Sequence, residues 1–137
     1  MKIDDLKPII AKYAIKATHQ RLVIYHYLLH TKEHPTAEKV FHELKDENPA
    51  LSLATVYKTL DTFYEKGLVK KLKTLDDSVH WDGDLSFHHH FICTITNQIT
   101  DYEDHSLSNL ITEYLKNKDI KNFKISDIQL NIFGETK

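Results

Sequence analysis

The periodicity of the apolar residues changes at Gly67, and this change constrains the fold more than any other feature of the chain. Before Gly67, apolar residues recur at helical spacing, most clearly over Leu22–Leu29. After it, two short runs, Leu68–Leu72 and Ser78–Trp81, are typical of strands that flank a turn at Asp76-Asp77. The sequence therefore predicts helices first and then a β-hairpin.

Four helical segments are predicted before the hairpin. Thr36 follows His34-Pro35 and Ser52 follows Asn48-Pro49, so each hydroxyl is placed to cap a helix. The predicted segments are Asp4–Tyr13, Thr18–Leu29, one that starts at Thr36 with Val40, Phe41 and Leu44 buried, and Ser52–Tyr64. Helices followed by a hairpin predict a winged-helix domain over residues 1–80. The alternative is an unspecialised helical domain that carries a hairpin.

The second half of the chain predicts a β-β-α-β order. Its predicted elements are His88–Cys93, Gln98–Glu103, Ser106–Lys116 and Lys124–Phe133. A sheet this small leaves an edge or a face open, and a second copy of the chain would cover it. We therefore expect an α+β protein, with an N-terminal winged-helix DNA-binding domain (1–80), a hinge (81–87) and a small α/β dimerisation domain (88–137).

Composition narrows the class of protein. The 137 residues are 41% hydrophobic and 28% charged, which is typical of a globular chain. The single cysteine, Cys93, excludes a disulfide or a four-cysteine zinc site within one chain. No segment resembles a signal peptide or is long enough to span a bilayer, so we expect a soluble cytoplasmic protein without a membrane partner. The net charge is −2, so DNA binding would have to depend on a local basic patch.

The run Phe87–Cys93 contains three consecutive histidines and is the most informative in the sequence. On a strand, His88 and His90 share one face and His89 points to the other. If Thr94–Asn97 is a hairpin loop, Asp101 lies opposite His90, with Cβ atoms about 5 Å apart. Two imidazoles and a carboxylate then meet, which predicts a metal site.

Nitrogen and carboxylate ligands without a thiolate suit Fe(II), Mn(II), Co(II) or Zn(II). Asp82 would add a second carboxylate if the segment between it and His88 folds back. The alternative is a polar surface strand with chance histidines. Cys93 shares a face with His89, so we interpret it as a small buried apolar residue rather than as a ligand or a redox thiol.

Several segments together resemble one family over nearly the whole chain. They are Thr18-His19-Gln20-Arg21 (family TPQR), His34-Pro35-Thr36-Ala37 (HPTA), Leu53 to Leu60 (LATVYRNL), His88 to Cys93 (HHDHLIC) and the final strand, Ile125 to Gly134. In order and spacing they resemble the ferric uptake regulator superfamily. That resemblance implies a metal-dependent repressor that binds double-stranded palindromic operator DNA as a homodimer.

The resemblance also implies a regulatory metal site. Carried over position by position, its ligands would be His34, Asp82, His88, His90 and Asp101. Iron sensors of the superfamily usually have glutamates where this chain has its two aspartates, whereas the peroxide-sensing branch usually has aspartates. The resemblance is therefore to the peroxide-responsive branch, with Fe(II) or Mn(II) at the site and Zn(II) able to enter it in vitro.

The peroxide-sensing branch works by oxidation of its own ligands, and the resemblance places the oxidised residues at His34 and His88. One alternative is an iron-responsive repressor without peroxide chemistry. Another is a mononuclear iron enzyme that uses His88, His90 and a carboxylate, although five protein ligands leave little open coordination. We expect a regulator and not an enzyme.

The chain departs from the superfamily at its other metal sites. Thr96 stands where a second cysteine would follow Cys93, and no later cysteine pair exists, so the structural zinc is expected to be absent. Phe87 and Ile128 stand where histidine ligands of a further site would be. We expect one metal per subunit.

DNA contact is expected from the Ser52–Tyr64 helix in the major groove, with Lys16 in the minor groove by resemblance. The predicted DNA-binding residues are Lys16, Arg21, Ser52, Ala54, Thr55, Tyr57 and Lys58. Ala54 and Thr55 are small enough to allow close approach. Lys70 and Lys71 could contact phosphate, but we interpret each of them as a solvated surface charge.

Overall fold

The computed structural model describes residues 1–86, 88–118 and 120–137. These residues form two compact units, Met1–Leu85 and Ser86–Lys137. Helices occupy the first part of the chain and two small sheets with one further helix follow, as expected of an α+β protein. Phe87, which ends the predicted hinge, lies outside the described residues. Among the described residues, no helix is long and apolar enough to cross a membrane.

The first unit contains a short 3-10 turn, four helices and a hairpin. The turn is Ile3–Leu6, and the elements after it are α1 Lys7–Lys12, α2 His19–His30, α3 Ala37–Leu44, α4 Leu53–Glu65, β1 Lys70–Lys73 and β2 Val79–Asp82.

Side-chain caps fix where the three longer helices begin. The hydroxyl of Thr18 accepts from the backbone N–H three residues later at 3.3 Å, that of Thr36 does so at 3.2 Å and that of Ser52 at 3.1 Å. Gly67 ends α4 with φ +83°, which lets the N–H of Leu68 reach the carbonyl of Phe63 at 2.8 Å. The caps predicted at Thr36 and Ser52 are therefore confirmed.

The core of this unit lies between the four helices and the hairpin. Val56, Leu60 and Phe63 are fully buried on one face of α4, whereas Leu53, Tyr57 and Tyr64 are exposed on the other. On α3, Val40 is fully buried, while Phe41 and Leu44 are partly buried against the same core.

The hairpin pairs Lys70 with Asp82 and Lys73 with Val79, in antiparallel register. Its second strand continues through Asp82, into the segment predicted as a hinge, because Trp81 is buried and pairs with Lys71. Asp82 therefore sits on a strand and not in a linker.

The second unit is a three-stranded sheet with one helix. Its elements are β3 His89–Cys93, β4 Ile99–Tyr102, α5 His105–Lys116 and β5 Asn131–Gly134. The strand order is β4-β3-β5, with β4 antiparallel and β5 parallel to β3. The predicted register is confirmed, since His90 pairs with Asp101 and the N–H of Cys93 donates to the carbonyl of Gln98 at 2.9 Å.

The last strand begins later than predicted, at Asn131 rather than at Lys124. Alternation of Ile128, Leu130 and Ile132 suggested a longer strand, but β3 pairs with it only from His90 onwards. The N–H of Leu130 is already taken by the ring of His89, at 3.1 Å, instead of by a strand carbonyl. The carbonyl of Leu130 still accepts the N–H of His90 at 3.0 Å, so within the described residues the pairing with β3 ends at Leu130.

Candidate metal centre

Two imidazoles converge on one carboxylate at the β3–β4 pair. His88 Nε2 lies 3.3 Å and His90 Nε2 lies 3.4 Å from the same oxygen, Asp101 Oδ1. Ligand atoms of all three residues lie within 4.8 Å of one another. Both histidines are buried, while Asp101 is exposed. The pairing of β3 with β4 produces this geometry, because His90 and Asp101 are direct cross-strand partners.

The ring of His88 is held in one orientation by the backbone. Its Nδ1 donates to the carbonyl oxygen of Ser86 at 2.8 Å, and a carbonyl can only accept. The proton of the neutral ring is therefore on Nδ1, and Nε2 presents a lone pair. A histidine whose Nδ1–H is hydrogen-bonded and whose Nε2 presents a lone pair is oriented for metal ligation.

The ring of His90 is held by a side chain. The side-chain amide nitrogen of Gln129 lies 3.0 Å from His90 Nδ1. The backbone N–H of His90 also donates to the carbonyl of Leu130 at 3.0 Å, which fixes the strand beside this contact.

The chemistry of these three groups fits a divalent cation. The lone pair of a neutral His88 at Nε2 faces a carboxylate oxygen at 3.3 Å, and a divalent cation could be bound by both. Two imidazoles and a carboxylate are ligands that Fe(II), Mn(II) and Zn(II) accept. The second unit therefore contains a group able to hold a metal.

The first unit places a second pair of candidate ligands together. His34 Nε2 lies 3.3 Å from Asp82 Oδ2, with both side chains largely buried. Strand β2 holds the loop that carries His34, because the N–H of Trp81 donates to the carbonyl of Pro35 at 2.9 Å. His80 Nδ1 donates to the carbonyl of His34 itself at 2.6 Å.

No local pattern of residues indicates the groups that orient these ligands. Ser86, His80 and Gln129 all contact ligand residues, and none of them was singled out. Two of the contacts involve a backbone carbonyl, which every residue type has. Gln129 acts across 39 positions of sequence, which no local pattern reveals.

His89 points away from the candidate ligands, as its place on β3 predicts. Its Nδ1 accepts from the N–H of Leu130, so its Nε2 carries the proton and donates to Ser108 Oγ at 2.8 Å. Ser108 in turn donates to the carbonyl of Asp104 at 3.2 Å. One buried ring thus links β3 to the segment before β5 and to α5.

The α5 N-terminus is fixed by a carboxylate. Asp104 caps the helix by accepting from the N–H of Leu107 at 3.0 Å, and it accepts from the hydroxyl of Tyr102 at 2.6 Å. The bond from Tyr102, together with that from Leu107, lowers the pKa of Asp104, and the same carboxylate raises the pKa of Tyr102.

Comparison with known proteins gives the family. Residues 12–133 match the Ferric uptake regulator family. The chain belongs to this family. It is 37% identical over 120 residues to the peroxide operon regulator of Bacillus subtilis strain 168, covering 88% of this chain and 81% of that protein.

Two solved structures of family members have the same fold. A ferric uptake regulator from Pseudomonas aeruginosa with manganese superposes with a TM-score of 0.81 at 24% identity, over 96% of this chain and 97% of that one. The Campylobacter jejuni peroxide stress regulator superposes with a TM-score of 0.70 at 26% identity, over 100% and 98%. The expected architecture, a winged-helix domain and a dimerisation domain, is thereby confirmed.

In this family member, four of the predicted DNA-binding residues line one depression of the first unit. The depression, of about 330 Å³, is bordered by Lys16 and Arg21 on one side and by Thr55 and Lys58 of α4 on the other. The guanidinium of Arg21 donates to the carbonyl of Lys16 at 3.0 Å, which holds the segment before α2 in place. Of the other predicted residues, Ala54 and Tyr57 are exposed on α4, and Ser52 is exposed at its N-cap.

Tyr57 is oriented by a partner that the sequence did not suggest. Its hydroxyl donates to Glu38 of α3, a bond that raises the pKa of Tyr57 and lowers that of Glu38. Lys71 is engaged within the chain, 4.0 Å from Asp61 and 4.3 Å from the ring centre of Tyr64. Lys71 therefore has intramolecular contacts that account for its position.

Cys93 is buried at the end of β3 and is the only cysteine of the chain. Hydrogen bonds from Thr136, and then from Thr96, lower the pKa of its thiol to about 6. The interpretation of Cys93 as a simple apolar residue missed this polar environment, because Thr136 lies 43 positions away in sequence.

Proposed function

We propose that this protein is a metal-dependent transcriptional repressor that leaves its operator when hydrogen peroxide oxidises one of its metal ligands. The observation that carries the proposal is the convergence of His88 and His90 on Asp101 Oδ1. The name of the Bacillus subtilis relative, a peroxide operon regulator, supports the peroxide branch over plain iron sensing.

The proposed regulatory site has five ligands. They are His34, Asp82, His88, His90 and Asp101. We propose Fe(II) or Mn(II) as the physiological ion, with Zn(II) able to enter in vitro, and no four-cysteine zinc site. The two aspartates and three neutral imidazoles provide hard and intermediate donors, which suit these ions better than soft ones.

Metal occupancy is proposed to control DNA affinity because the ligands come from both units. His34 and Asp82 belong to the first unit, and the other three belong to the second. An ion that binds the DNA-competent state more tightly shifts the population towards that state. Loss of a ligand would reverse the shift.

The DNA-binding surface is proposed to be the exposed side of α4 together with the depression beside it. Lys16, Arg21 and Lys58 supply positive charge for phosphates there, and Tyr57 offers an apolar ring and a hydroxyl. Ser52, Ala54 and Thr55 are small, so they would let the backbone approach the groove.

The second unit is proposed to form a homodimer. No residue of α5 is buried, and Leu110 and Tyr114 on it are 68% and 61% exposed. Phe133 on β5 is also exposed. A second copy would cover these apolar groups, and two copies would read a palindromic operator.

The sensing step is proposed to be oxidation of a histidine ring. Bound Fe(II) supplies redox chemistry towards peroxide that Mn(II) does not. One oxygen of hydrogen peroxide is added to the imidazole of His34 or His88, and the other oxygen leaves as water. The ring loses two electrons and the peroxide gains two. The oxidised ring is a poorer ligand, so the site no longer holds its metal.

Mass spectrometry of peptides from the Fe(II)-loaded protein tests this proposal. After brief peroxide treatment, we expect the mass of one oxygen atom on the His34 or His88 peptide. The Mn(II)-loaded protein and an Asp101→Ala variant should remain unmodified there. The peptide with exposed His42 is an internal control, because it measures non-specific oxidation.

Three results can be distinguished. Oxygen on His34 or His88 but not on His42 supports the peroxide sensor. Equal oxidation of all three peptides contradicts a site-directed reaction. If no histidine is oxidised while Fe(II) still promotes DNA binding, the protein is an iron-responsive repressor instead.

A further inference from the structure

We propose that Gln129 is a positioning residue that adjusts the tautomer of His90 to metal binding. Its side-chain amide would donate to His90 Nδ1 when no metal is bound and, after rotating, accept from Nδ1–H when Nε2 ligates a metal. This inference rests on the metal site proposed above, and it concerns a residue outside the five ligands.

The contact is direct and anchored by the neighbouring backbone. Gln129 Nε2 lies 3.0 Å from His90 Nδ1. Leu130, the next residue, accepts the backbone N–H of His90 at 3.0 Å and donates its own N–H to His89 Nδ1 at 3.1 Å. The segment before β5 is thus fixed to β3 by two hydrogen bonds at the residue next to Gln129.

The present orientation of the Gln129 amide specifies one tautomer of the His90 ring. An amide nitrogen only donates, so His90 Nδ1 accepts, and the proton of the neutral ring is on Nε2. Nε2 then carries the proton, and it lies 3.4 Å from Asp101 Oδ1. This tautomer leaves no lone pair on Nε2 for a metal.

Metal ligation through Nε2 requires the other tautomer. The proton must then be on Nδ1, where it needs an acceptor. Rotation of the Gln129 amide by half a turn places its carbonyl oxygen where its nitrogen now lies, with no movement of the backbone. A glutamine can serve both tautomers, because one end of the amide donates and the other accepts.

His88 provides the contrast within the same site. Its Nδ1 donates to the backbone carbonyl of Ser86, which cannot change roles. One histidine of the pair is therefore fixed in the ligating tautomer and the other is adjustable. We infer that metal affinity depends on Gln129 through His90, and not through His88.

Mn(II) affinity of three variants of the full chain tests the inference, by competition with a fluorescent chelator. Gln129→Leu removes the acceptor and should weaken Mn(II) binding about tenfold or more. Gln129→Glu keeps an acceptor and should bind Mn(II) at least as tightly as the native chain. Gln98→Leu, at an exposed position beyond the β3–β4 turn, is the matched control and should be unchanged.

Ring nitrogen NMR of the Zn(II)-loaded protein adds a readout that a general loss of stability would not change. The native chain should show His90 protonated at Nδ1, with a slowly exchanging proton that becomes fast in Gln129→Leu. Equal Mn(II) affinities and equal proton exchange in the two proteins would overturn the role of Gln129 and leave the metal site intact. If the native chain itself binds no Mn(II), the proposed site fails with it.

Discussion

Asp101 Oδ1 is shared between two buried imidazole nitrogens, and this arrangement explains why an exposed carboxylate occupies a defined position. The strand pairing supplies the first contact, since His90 is the direct partner of Asp101. Strand alternation supplies the second, since His88 lies on the same face as His90. Both contacts follow from residue spacing, and both could be predicted from the sequence.

Cys93 allows a test at a single atom. Its thiol pKa of about 6 lies below the ordinary value of 9 because Thr136 and Thr96 donate hydrogen bonds to the thiolate. We expect the alkylation rate with iodoacetamide to rise with pH through a midpoint near 6, and Thr136→Val to move that midpoint upwards. A midpoint near 9 in the native chain would contradict the described environment.

The same shift has a consequence for stability. A thiol whose pKa is lower in the folded state than in the unfolded state favours folding most above pH 9. That contribution is lost as pH falls towards 6. Cys93→Ser should therefore reduce the pH dependence of the unfolding midpoint between these limits, while leaving the dependence outside them unchanged.

The residues that orient the metal ligands are harder to predict from the sequence than the ligands themselves. Residue types that bind metals are few, and their spacing on a strand is informative. The partners of those ligands include the carbonyl of Ser86, which has no identity in the sequence, and Gln129, which is distant in the chain. The position of Gln129 depends on how β5 is placed beside β3.

Among the elements of the second unit, β3 and the residue before it position both kinds of histidine. His88 directly precedes the strand and His90 lies on it, while His89 points to the opposite face and is 2% exposed. His89 connects Leu130 and Ser108, so it joins the last segment and α5 to the strand that holds the metal ligands.

Replacing His89 should destabilise this unit selectively. His89→Leu leaves the N–H of Leu130 without its ring acceptor and removes the donor to Ser108, and each loss costs about 1–3 kcal/mol. We expect urea unfolding to show a lower free energy for the second unit. His105→Ala, at an exposed position of α5, is the control and should have little effect. Equal stability of the two variants would show that the His89 contacts are not needed.

An element can be predicted from the sequence when neighbouring residues determine it. The caps at Thr36 and Ser52 and the β3–β4 register were predictable, because a cap or a turn involves only neighbouring residues. The start of β5 was not, because alternation predicts which face a residue occupies but not whether a strand lies alongside. The sequence also predicts a hinge, and not a strand, at Asp82. Its strand partner is Lys70, which is not a neighbour in the sequence, so no local pattern indicates the pairing.

At the scale of the whole molecule, the chain divides its proposed tasks between two units. The first contains the exposed side of α4 and the pair His34–Asp82. The second contains the other three proposed ligands and the exposed apolar side chains of α5. The hinge predicted at 81–87 and the domain limits drawn around it stay predictions, with Asp82 now on β2.

Charge is distributed in keeping with this division. Residues 1–80 have a net charge of +2 and residues 81–137 have −4. DNA binding by the first unit should therefore be modest without metal and should weaken steeply with salt, since phosphate contacts release counterions. The local cluster of Lys16, Arg21 and Lys58 matters more than the overall charge of −2.

The most direct test of the account is the affinity of the full chain for palindromic promoter DNA, measured with Mn(II), with Fe(II), and with Fe(II) followed by peroxide. We expect salt-dependent, metal-dependent binding in the first two samples and its loss only in the third. Binding that survives peroxide in the Fe(II) sample, or that needs no metal at all, would contradict it.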